Sequence, residues 1–326
     1  MREYKILYIA EFGHDWNSGW WKKSGFEMNG HEVIAFDPDR VEDPVNVAIK
    51  VIREAKPDFI LHSKDEFPAS VFREFRQYAK VIQWYPDPVI TDWLPPYVEA
   101  ADVFLTMSEG LVDEFRKLNP QSFWLTEAVA PAFFEIKKDI TEEDIRMYSA
   151  DATFVGNLGS KPHYLPRRQF LQAVIDNGFR LKWWGQKIPR KFSTIPLLLG
   201  NLGRAYGGKF VWGEEHAKIA KLSKIYLGFD AQPHVRKSMS ERLYIAVGCG
   251  AFYMCHYVDG IEDILKPDRE IVTFRSADEM IEKMRYYLLH DEVRMKIAQA
   301  GQQRVLREHT YQVRTRQLIE ILQGII

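Results

Sequence analysis

Cysteine is nearly absent from this chain of 326 residues, which contains only Cys249 and Cys255. Two cysteines close together in sequence provide neither a disulfide framework nor the ligand spacing of a structural zinc site. The low cysteine content is typical of proteins from a reducing compartment, and we therefore expect a cytoplasmic protein.

Long apolar runs and an excess of positive charge are also missing. No segment approaches the roughly 18 consecutive apolar residues of a membrane-spanning helix. The first twelve residues, MREYKILYIAEF, have too short an apolar core for a signal peptide and no small-residue cleavage site. The net charge of −1 gives no global basic field, so we expect no nucleic-acid partner.

Short apolar strands alternate with helical patterns along the first part of the chain. The predicted strands cover residues 5–12, 32–36, 59–62, 81–84 and 103–106, with a closing strand near 122–131. Strands this apolar are typical of a parallel sheet that is covered by helices on both faces. The pattern predicts an α/β fold with a doubly wound sheet.

A charged segment, about 134–151, interrupts this alternation, and we interpret it as a linker. The alternation then restarts at ATFVGN, residues 152–157, and continues to the end of the chain. Later predicted strands lie at 210–213, 225–230, 251–255 and 270–274, and the last helices at roughly 278–289, 291–306 and 310–323. Hydrophobic residues make up 46% of the chain, which is enough for two packed cores.

The stretch from Ser238 to Leu265 is predicted to form a helix, a glycine turn, a short strand and a second helix. Ser238 and Ser240 are good N-cap residues, and the carboxylate of Glu241 complements the dipole of the first helix. Arg236, Lys237 and Arg242 surround this helix start, which makes it a candidate anion site. The alternative is an ordinary β-α unit preceded by a solvated basic loop.

Ligands of open α/β sheets bind beyond the carboxyl ends of the strands, so the residues after each predicted strand are the site candidates. Ordinary loop chemistry, such as turn glycines and capping side chains, is the alternative for each single residue. The candidates in the first part are Gly13, Asp15 and Asp87, and those in the second part are Gly156, Asn157, Gly185, Trp212 and the segment 230–237.

Three ordered segments, RLYIAVGCGAF, HYVDGIEDIL and the stretch from EIVTF to HTYQVR, carry a family resemblance. They resemble the C-terminal half of the spore-maturation (CgeB-like) glycosyltransferases, which belong to the GT-B class. The similarity is strong over about 238–322. It is thinner upstream, where it consists of WYPDP at 84–88, ADVFLTMSE at 101–109 and ATFVGN at 152–157.

The resemblance implies two Rossmann-like domains that face each other across a cleft. Residues 1–135 are then the acceptor-side domain, residues 152–305 the nucleotide-sugar domain, and residues 306–326 a helix that packs back toward the first domain. The implied reaction is metal-independent sugar transfer from a UDP- or GDP-type donor to a glycan, a protein or a small molecule. No cofactor is expected apart from the donor itself.

A metal-free donor site needs cationic side chains and helix N-termini for the diphosphate. Under the resemblance, the candidates for this role are Arg168, Arg236, Lys237, Ser238, Ser240 and Arg242. An inverting enzyme would also need a general base, for which Asp87 and Asp15 are the candidates. A retaining enzyme would not need one, and the sequence does not decide between the two.

One departure from the family pattern concerns the donor. The family has a glutamate four residues before the cysteine, where this chain has Ile245. The resemblance implies that the family glutamate binds the ribose hydroxyls of the donor. Glu241 lies one helical turn earlier on the same face, so we expect it to replace this contact; the alternative is that it only complements the helix dipole or pairs with Arg242. The departure also supports an alternative, a catalytically weak nucleotide-sugar-binding or coat-associated protein. A Rossmann-type dehydrogenase lacks support, because no G-x-G-x-x-G follows the first strand.

Overall fold

The chain folds as two compact units, each built around its own parallel sheet. The computed structural model describes residues 2–159, 164–186, 195 and 199–325. The first unit contains the described residues up to Ala130, the segment His234–Met239 and the residues from His309 onward. The second unit contains Pro131–Pro233 and Ser240–Glu308. The predicted fold class, two Rossmann-like parallel-sheet domains, is confirmed.

The sheet of the first unit has the strand order β2-β1-β3-β4-β5-β6, and all of its strand pairs are parallel. The strands are β1 (Lys5–Ile9), β2 (Glu32–Phe36), β3 (Phe59–His62), β4 (Lys80–Tyr85), β5 (Val103–Thr106) and β6 (Ser122–Trp124). The connecting helices are α1 (Ser18–Met28), α2 (Pro44–Ala55), α3 (Ala69–Phe75), α4 (Pro95–Ala100) and α5 (Val112–Arg116). Short 3-10 turns lie at Pro38–Arg40 and Glu109–Leu111.

Burial explains why these strands consist mostly of apolar residues. Every residue of β3 and of β5 is buried, since helices cover both faces of the sheet. Local signals set the boundaries between elements. For example, Lys56 ends α2 in a left-handed conformation with φ 49°, and Pro57 cannot continue the helix.

The last helix of the chain, which we label α13 (Tyr311–Ile325), belongs to the first unit and packs against α1. The side-chain amide of Asn29 donates to the carbonyl oxygen of Gln312 at 2.7 Å and to the hydroxyl of Thr315 at 2.9 Å. The two helices approach so closely that a Cβ on Gly25 would lie 2.6 Å from the carbonyl oxygen of Tyr311. Glycine at this position therefore permits the packing.

The sheet of the second unit has the strand order β11-β10-β9-β7-β8 and is also parallel throughout. Its strands are β7 (Ala150–Val155), β8 (Leu181–Trp184), β9 (Ser223–Gly228), β10 (Tyr253–His256) and β11 (Val272–Phe274). Its helices are α6 (Glu142–Tyr148), α7 (Leu165–Asp176), α8 (Asn201–Arg204), α9 (Gly213–Leu222), α10 (Glu241–Gly248), α11 (Ala277–Leu289) and α12 (Asp291–Glu308). Further 3-10 turns lie at Pro131–Phe134 and Ile261–Asp263.

Three sequence predictions about elements need correction. The strand predicted at 210–213 is wrong: residues 210–212 are irregular, Trp212 is the N-cap of α9, and Gly213 is the first residue of that helix. The segment predicted as a linker contains α6, whose start is fixed by a capping box between Thr141 and Asp144. The helix predicted after Gly260 is only a 3-10 turn. Within the described residues, no helix combines the length and apolar character needed to cross a membrane.

Candidate functional site

The second unit has a topological switch point between β7 and β9. These strands are neighbours in the sheet, but β8 follows β7 in sequence and lies on its other side. The chain therefore leaves β7 in one direction and reaches β9 in the other, which opens a crevice beyond the carboxyl ends of both strands. Crevices of this kind are where open α/β sheets bind ligands.

Arg242, in the first turn of α10, bridges the two strand ends. Its guanidinium donates to the carbonyl oxygen of Val155 at the end of β7 and, at 3.4 Å, to that of Phe229 just after β9. It also donates to the hydroxyl of Ser240 at 3.2 Å. These bonds fix a positive charge at the switch point.

Arg167, in the first turn of α7, places a second positive charge in the same region. It is 8% exposed, and its Nη1 donates to the carbonyl oxygen of Asn157 at 3.4 Å. Its Nε has no hydrogen-bond partner among the described residues. Burial, followed by the repulsion of Arg242, lowers the pKa of Arg167 to about 10. An anion bound here would relieve both effects, because it would neutralise the buried guanidinium of Arg167 and offset its repulsion by Arg242.

The N-terminus of α10 adds to the positive potential. Ser240 is its N-cap residue, and the carboxylate of Asp230 accepts a hydrogen bond from the Ser240 backbone N–H at 2.8 Å. The serine side chain makes no N-cap bond, so the predicted capping role passes to this carboxylate. Backbone N–H groups at a helix start and nearby arginines together form the usual environment for a phosphate group.

Two predicted glycines allow the loops after β7 and β8 to pack tightly. A Cβ on Gly185 would lie 2.3 Å from the carbonyl oxygen of Gly156, and a Cβ on Gly156 would lie 2.8 Å from the guanidinium of Arg242. The side chain of Asn157 joins these loops, since its Oδ1 accepts from the Gln186 backbone N–H at 3.3 Å. The structure therefore brings Gly156, Asn157 and Gly185 together.

The structure assigns different positions to the two arginines of the α7 start. Arg167 shares the buried face of α7 with Leu171 and Val174, whereas the predicted Arg168 donates to the carbonyl oxygens of Leu158 and Gly159. The sequence prediction named Arg168 and missed Arg167, because the two arginines are adjacent. Only the helical period of 3.6 residues decides which of them lies on the buried face of α7. The helical spacing of Arg167, Leu171 and Val174 is the sequence signal that could have identified the buried arginine.

Three other residues that were predicted to bind the sugar donor belong to the first unit: Arg236, Lys237 and Ser238. There Arg236 and Lys237 pair with Glu109 at 2.6 and 2.9 Å, and the ammonium of Lys237 lies 4.7 Å from the ring centre of Trp124. Burial opposes the ionisation of Glu109, but the hydrogen bonds from Lys237 and Arg236 outweigh it and lower the pKa. Ser238 is 1% exposed.

The remaining candidates occupy separate positions. Asp87 follows β4 in the first unit and pairs with Lys64 at 2.6 Å, with 40% of its side chain exposed. Gly13 and Asp15 are exposed in the loop after β1. In the second unit, Trp212 and Glu241 are half-buried, at the starts of α9 and α10. The functional roles of these residues stay predictions.

Metal-ligating side chains do not cluster in the part of the chain that the structure describes: no group of three His, Cys, Asp or Glu residues there is placed to hold an ion. Metal independence stays a prediction that needs its own experiment.

The sequence profile of the family described as "Glycosyl transferase-like" matches residues 167–320, which include Arg167 and Arg242. No curated protein sequence matches the chain. Residues 167–320 are thus similar in sequence to this glycosyltransferase family.

Solved structures match the full length of the chain at low sequence identity. A glycosyltransferase from Rickettsia africae ESF-5 superimposes with a TM-score of 0.71, at 11% identity and with 100% and 99% of the two chains covered. The catalytic domain of starch synthase IV from Arabidopsis thaliana, bound to ADP and acarbose, superimposes with a TM-score of 0.69, at 12% identity and with 99% of each chain covered. Anabaena HepE in complex with UDP and glucose superimposes with a TM-score of 0.66, at 10% identity and with 99% of this chain and 100% of the HepE chain covered. These similarities establish the GT-B fold.

Proposed function

We propose that this chain transfers a sugar from a nucleotide-sugar donor, of the UDP or GDP type, to an acceptor hydroxyl. The observation that carries the proposal is the placement of Arg167 and Arg242 at the switch point of the second unit. Two guanidinium groups and a helix N-terminus match the charge of a diphosphate, which is the leaving group in such a transfer.

The donor class also has support from the comparisons. The Anabaena structure contains UDP, and the Arabidopsis structure contains ADP. A nucleoside diphosphate is common to both, and Arg167 and Arg242 would bind that part of the ligand in this chain. We further propose that the chain is of the CgeB-like type and acts in the cytoplasm.

The proposed chemistry requires no metal ion, because the two arginines and the α10 N-terminus would stabilise the diphosphate as its charge develops. Asp87 is the proposed base or transition-state contact in the first unit. The proposed acceptor is a glycan, a protein or a small molecule.

The experiment is a thermal-shift screen of UDP-, GDP- and dTDP-sugars, followed by a hydrolysis assay with the sugar that stabilises most. We expect one donor class to raise the melting temperature, and we expect slow release of its sugar to water. EDTA should leave this turnover unchanged.

The outcomes separate the proposal from its alternative. Donor binding without any turnover would favour a catalytically weak nucleotide-sugar-binding protein, which the isoleucine at position 245 also favours. A loss of turnover in EDTA that magnesium or manganese restores would contradict the metal-free diphosphate site. No stabilisation by any donor would contradict the function itself.

A further inference from the structure

Asp230 is a buried carboxylate at the switch point of the second unit, and only one of its two oxygens has a hydrogen-bond partner among the described residues. It lies two residues beyond the end of β9 and is 8% exposed. Its Oδ1 accepts from the backbone N–H of Ser240 at 2.8 Å. Its Oδ2 has no hydrogen-bond partner among the described residues.

An unpartnered oxygen on a buried carboxylate is unusual in a folded protein. Most buried polar atoms have a partner, because an unsatisfied one has lost its hydration without a replacement, at a cost that is greater when the atom is charged. Helix capping accounts for Oδ1 alone, since one oxygen is enough for one N–H. Oδ2 is therefore available to a donor that the chain itself does not supply.

The surrounding charges restrict what that donor can be. Arg167 lies close enough for the two charges to interact, and Arg242 donates to the carbonyl oxygen of the preceding residue, Phe229. A cationic ligand would meet two guanidinium groups here. A fully anionic ligand would suit the arginines but would be repelled by Asp230.

One kind of ligand satisfies all three groups: a molecule with a phosphate for the arginines and a neutral hydroxyl within reach of Oδ2. We propose that Asp230 accepts a hydrogen bond from a hydroxyl of the donor, on either its ribose or its sugar. This inference rests on the proposed function and adds a recognition residue to it.

The assignment also concerns the missing glutamate. Ile245 is 6% exposed and offers no acceptor atom. Asp230 contributes a carboxylate from the end of β9 beside the start of the same helix, α10. It is the more buried candidate, because Glu241 is only half-buried.

The test is Asp230→Asn, because this change affects the role of Oδ2 and keeps that of Oδ1. The backbone N–H of Ser240 will hold the amide oxygen of asparagine, which places the NH₂ group where Oδ2 lay. The cap is kept, but the acceptor becomes a donor. Asp151→Asn is the matched control: its carboxylate accepts the Arg180 N–H at 3.0 Å in the same unit, at the opposite end of β7.

Affinities are measured by calorimetry for UDP, 2′-deoxy-UDP and UDP-glucose, or for the guanosine series if GDP is the nucleotide bound. We expect Asp230→Asn to weaken UDP-glucose binding tenfold or more at an unchanged melting temperature. Asp151→Asn should bind UDP-glucose with wild-type affinity. If the hydroxyl is on the ribose, the Asp230→Asn variant also binds UDP itself more weakly, and a lost preference for UDP over 2′-deoxy-UDP identifies it as the 2′-hydroxyl. If it is on the sugar, UDP itself binds the variant normally.

Two results would overturn the inference. Asp230→Asn with wild-type affinity for all three ligands would leave Asp230 as a helix cap only, without affecting the proposed function. Failure of the wild type to bind any nucleoside diphosphate would reject the proposed function and this inference together.

Discussion

Lys237 holds Glu109 through an ion pair of 2.9 Å, although the backbone of this lysine adopts a left-handed conformation with φ 50°. A non-glycine residue in this region carries a conformational cost of about 1 kcal/mol or more. Its side chain is 10% exposed, and that of Glu109 is 33% exposed. The ion pair therefore offsets the backbone cost and fixes the segment His234–Met239 in the first unit.

Replacing the carboxylate in Glu109→Gln should destabilise the protein by about 1–3 kcal/mol, because two charged hydrogen bonds are lost. The pKa of Glu109 is lowered, so its contribution is present above the ordinary value of 4.5 and is lost as the pH falls through the folded-state pKa. Urea denaturation at pH 7 and at low pH measures the difference.

Glu114→Gln is the control for this change. Its partner Lys117 is 67% exposed, and exposed pairs contribute little. Equal stability losses for the two variants at pH 7 would show that the Glu109 pair has no special role.

His216 should make the second unit sensitive to acid. It is buried, and its Nε2 lies 2.7 Å from the hydroxyl of Tyr226. Burial and then the charge of Arg242 lower the pKa of His216 to about 3. The unfolded chain binds a proton near pH 6.5 and the folded chain does not, so stability falls as the pH drops below 6.5.

The expected slope from this single group is about 1.4 kcal/mol per pH unit between roughly pH 6 and pH 3. His216→Gln should lower stability at pH 7 but flatten this slope, as measured by denaturation at several pH values. The exposed His290→Gln should keep the wild-type slope. A variant at position 216 with the full wild-type slope would show that another group causes it.

The ion pair of Lys22 and Glu127 is the most buried one that the described residues contain, with side chains 1% and 4% exposed. Glu127 also accepts a hydrogen bond from the hydroxyl of Tyr311 on α13. Lys22→Met should cost about 3–5 kcal/mol, because it leaves a buried carboxylate without its cation.

Adding Glu127→Gln to Lys22→Met should recover much of this loss, since glutamine is neutral and still accepts from Tyr311. Lys23→Met is the neighbouring control, because its partner Glu27 is 46% exposed. A double variant no more stable than Lys22→Met would contradict the unpaired-charge explanation. Thermal denaturation is a sufficient measurement.

Much of the fold was predictable from the sequence, because strands buried on both faces read as apolar runs such as FILH of β3 and VFLT of β5. The predicted strand at 210–213 was wrong because FVWG is similarly apolar but contains the N-cap and the first residue of α9. Composition alone cannot distinguish these two contexts.

The candidate site was less predictable. Gly156, Gly185, Asn157 and Arg242 are site candidates from the sequence because they follow predicted strands or begin a helix, and their roles stay predictions. Arg236 and Lys237 were assigned to the donor site, and their pairing with Glu109 could not be foreseen, because it joins residues more than a hundred positions apart. The importance of Asp230 depends on an unpartnered oxygen, which only the structure reveals.

Asp87 stays the proposed base or transition-state contact, and Asp87→Asn tests it. The change removes charge and basicity with little change of shape, and it also ends the ion pair with Lys64. We expect turnover to fall by more than tenfold while donor affinity changes little, since a base acts on the chemical step. Lys64→Met is the control for the ion pair alone. Unchanged turnover of Asp87→Asn with a good acceptor would remove this residue from the site.

The most direct test of the central claim compares the affinity of Arg167→Gln for a nucleoside diphosphate with its affinity for the nucleoside alone. The nucleotide is the one whose sugar stabilises the wild type most, and the exposed Arg180→Gln is the control. We predict that Arg167→Gln weakens diphosphate binding by about 1.5–3 kcal/mol, roughly tenfold to a hundredfold, and leaves nucleoside binding unchanged. Wild-type affinity for the diphosphate in Arg167→Gln would contradict the assignment of this arginine to the donor site.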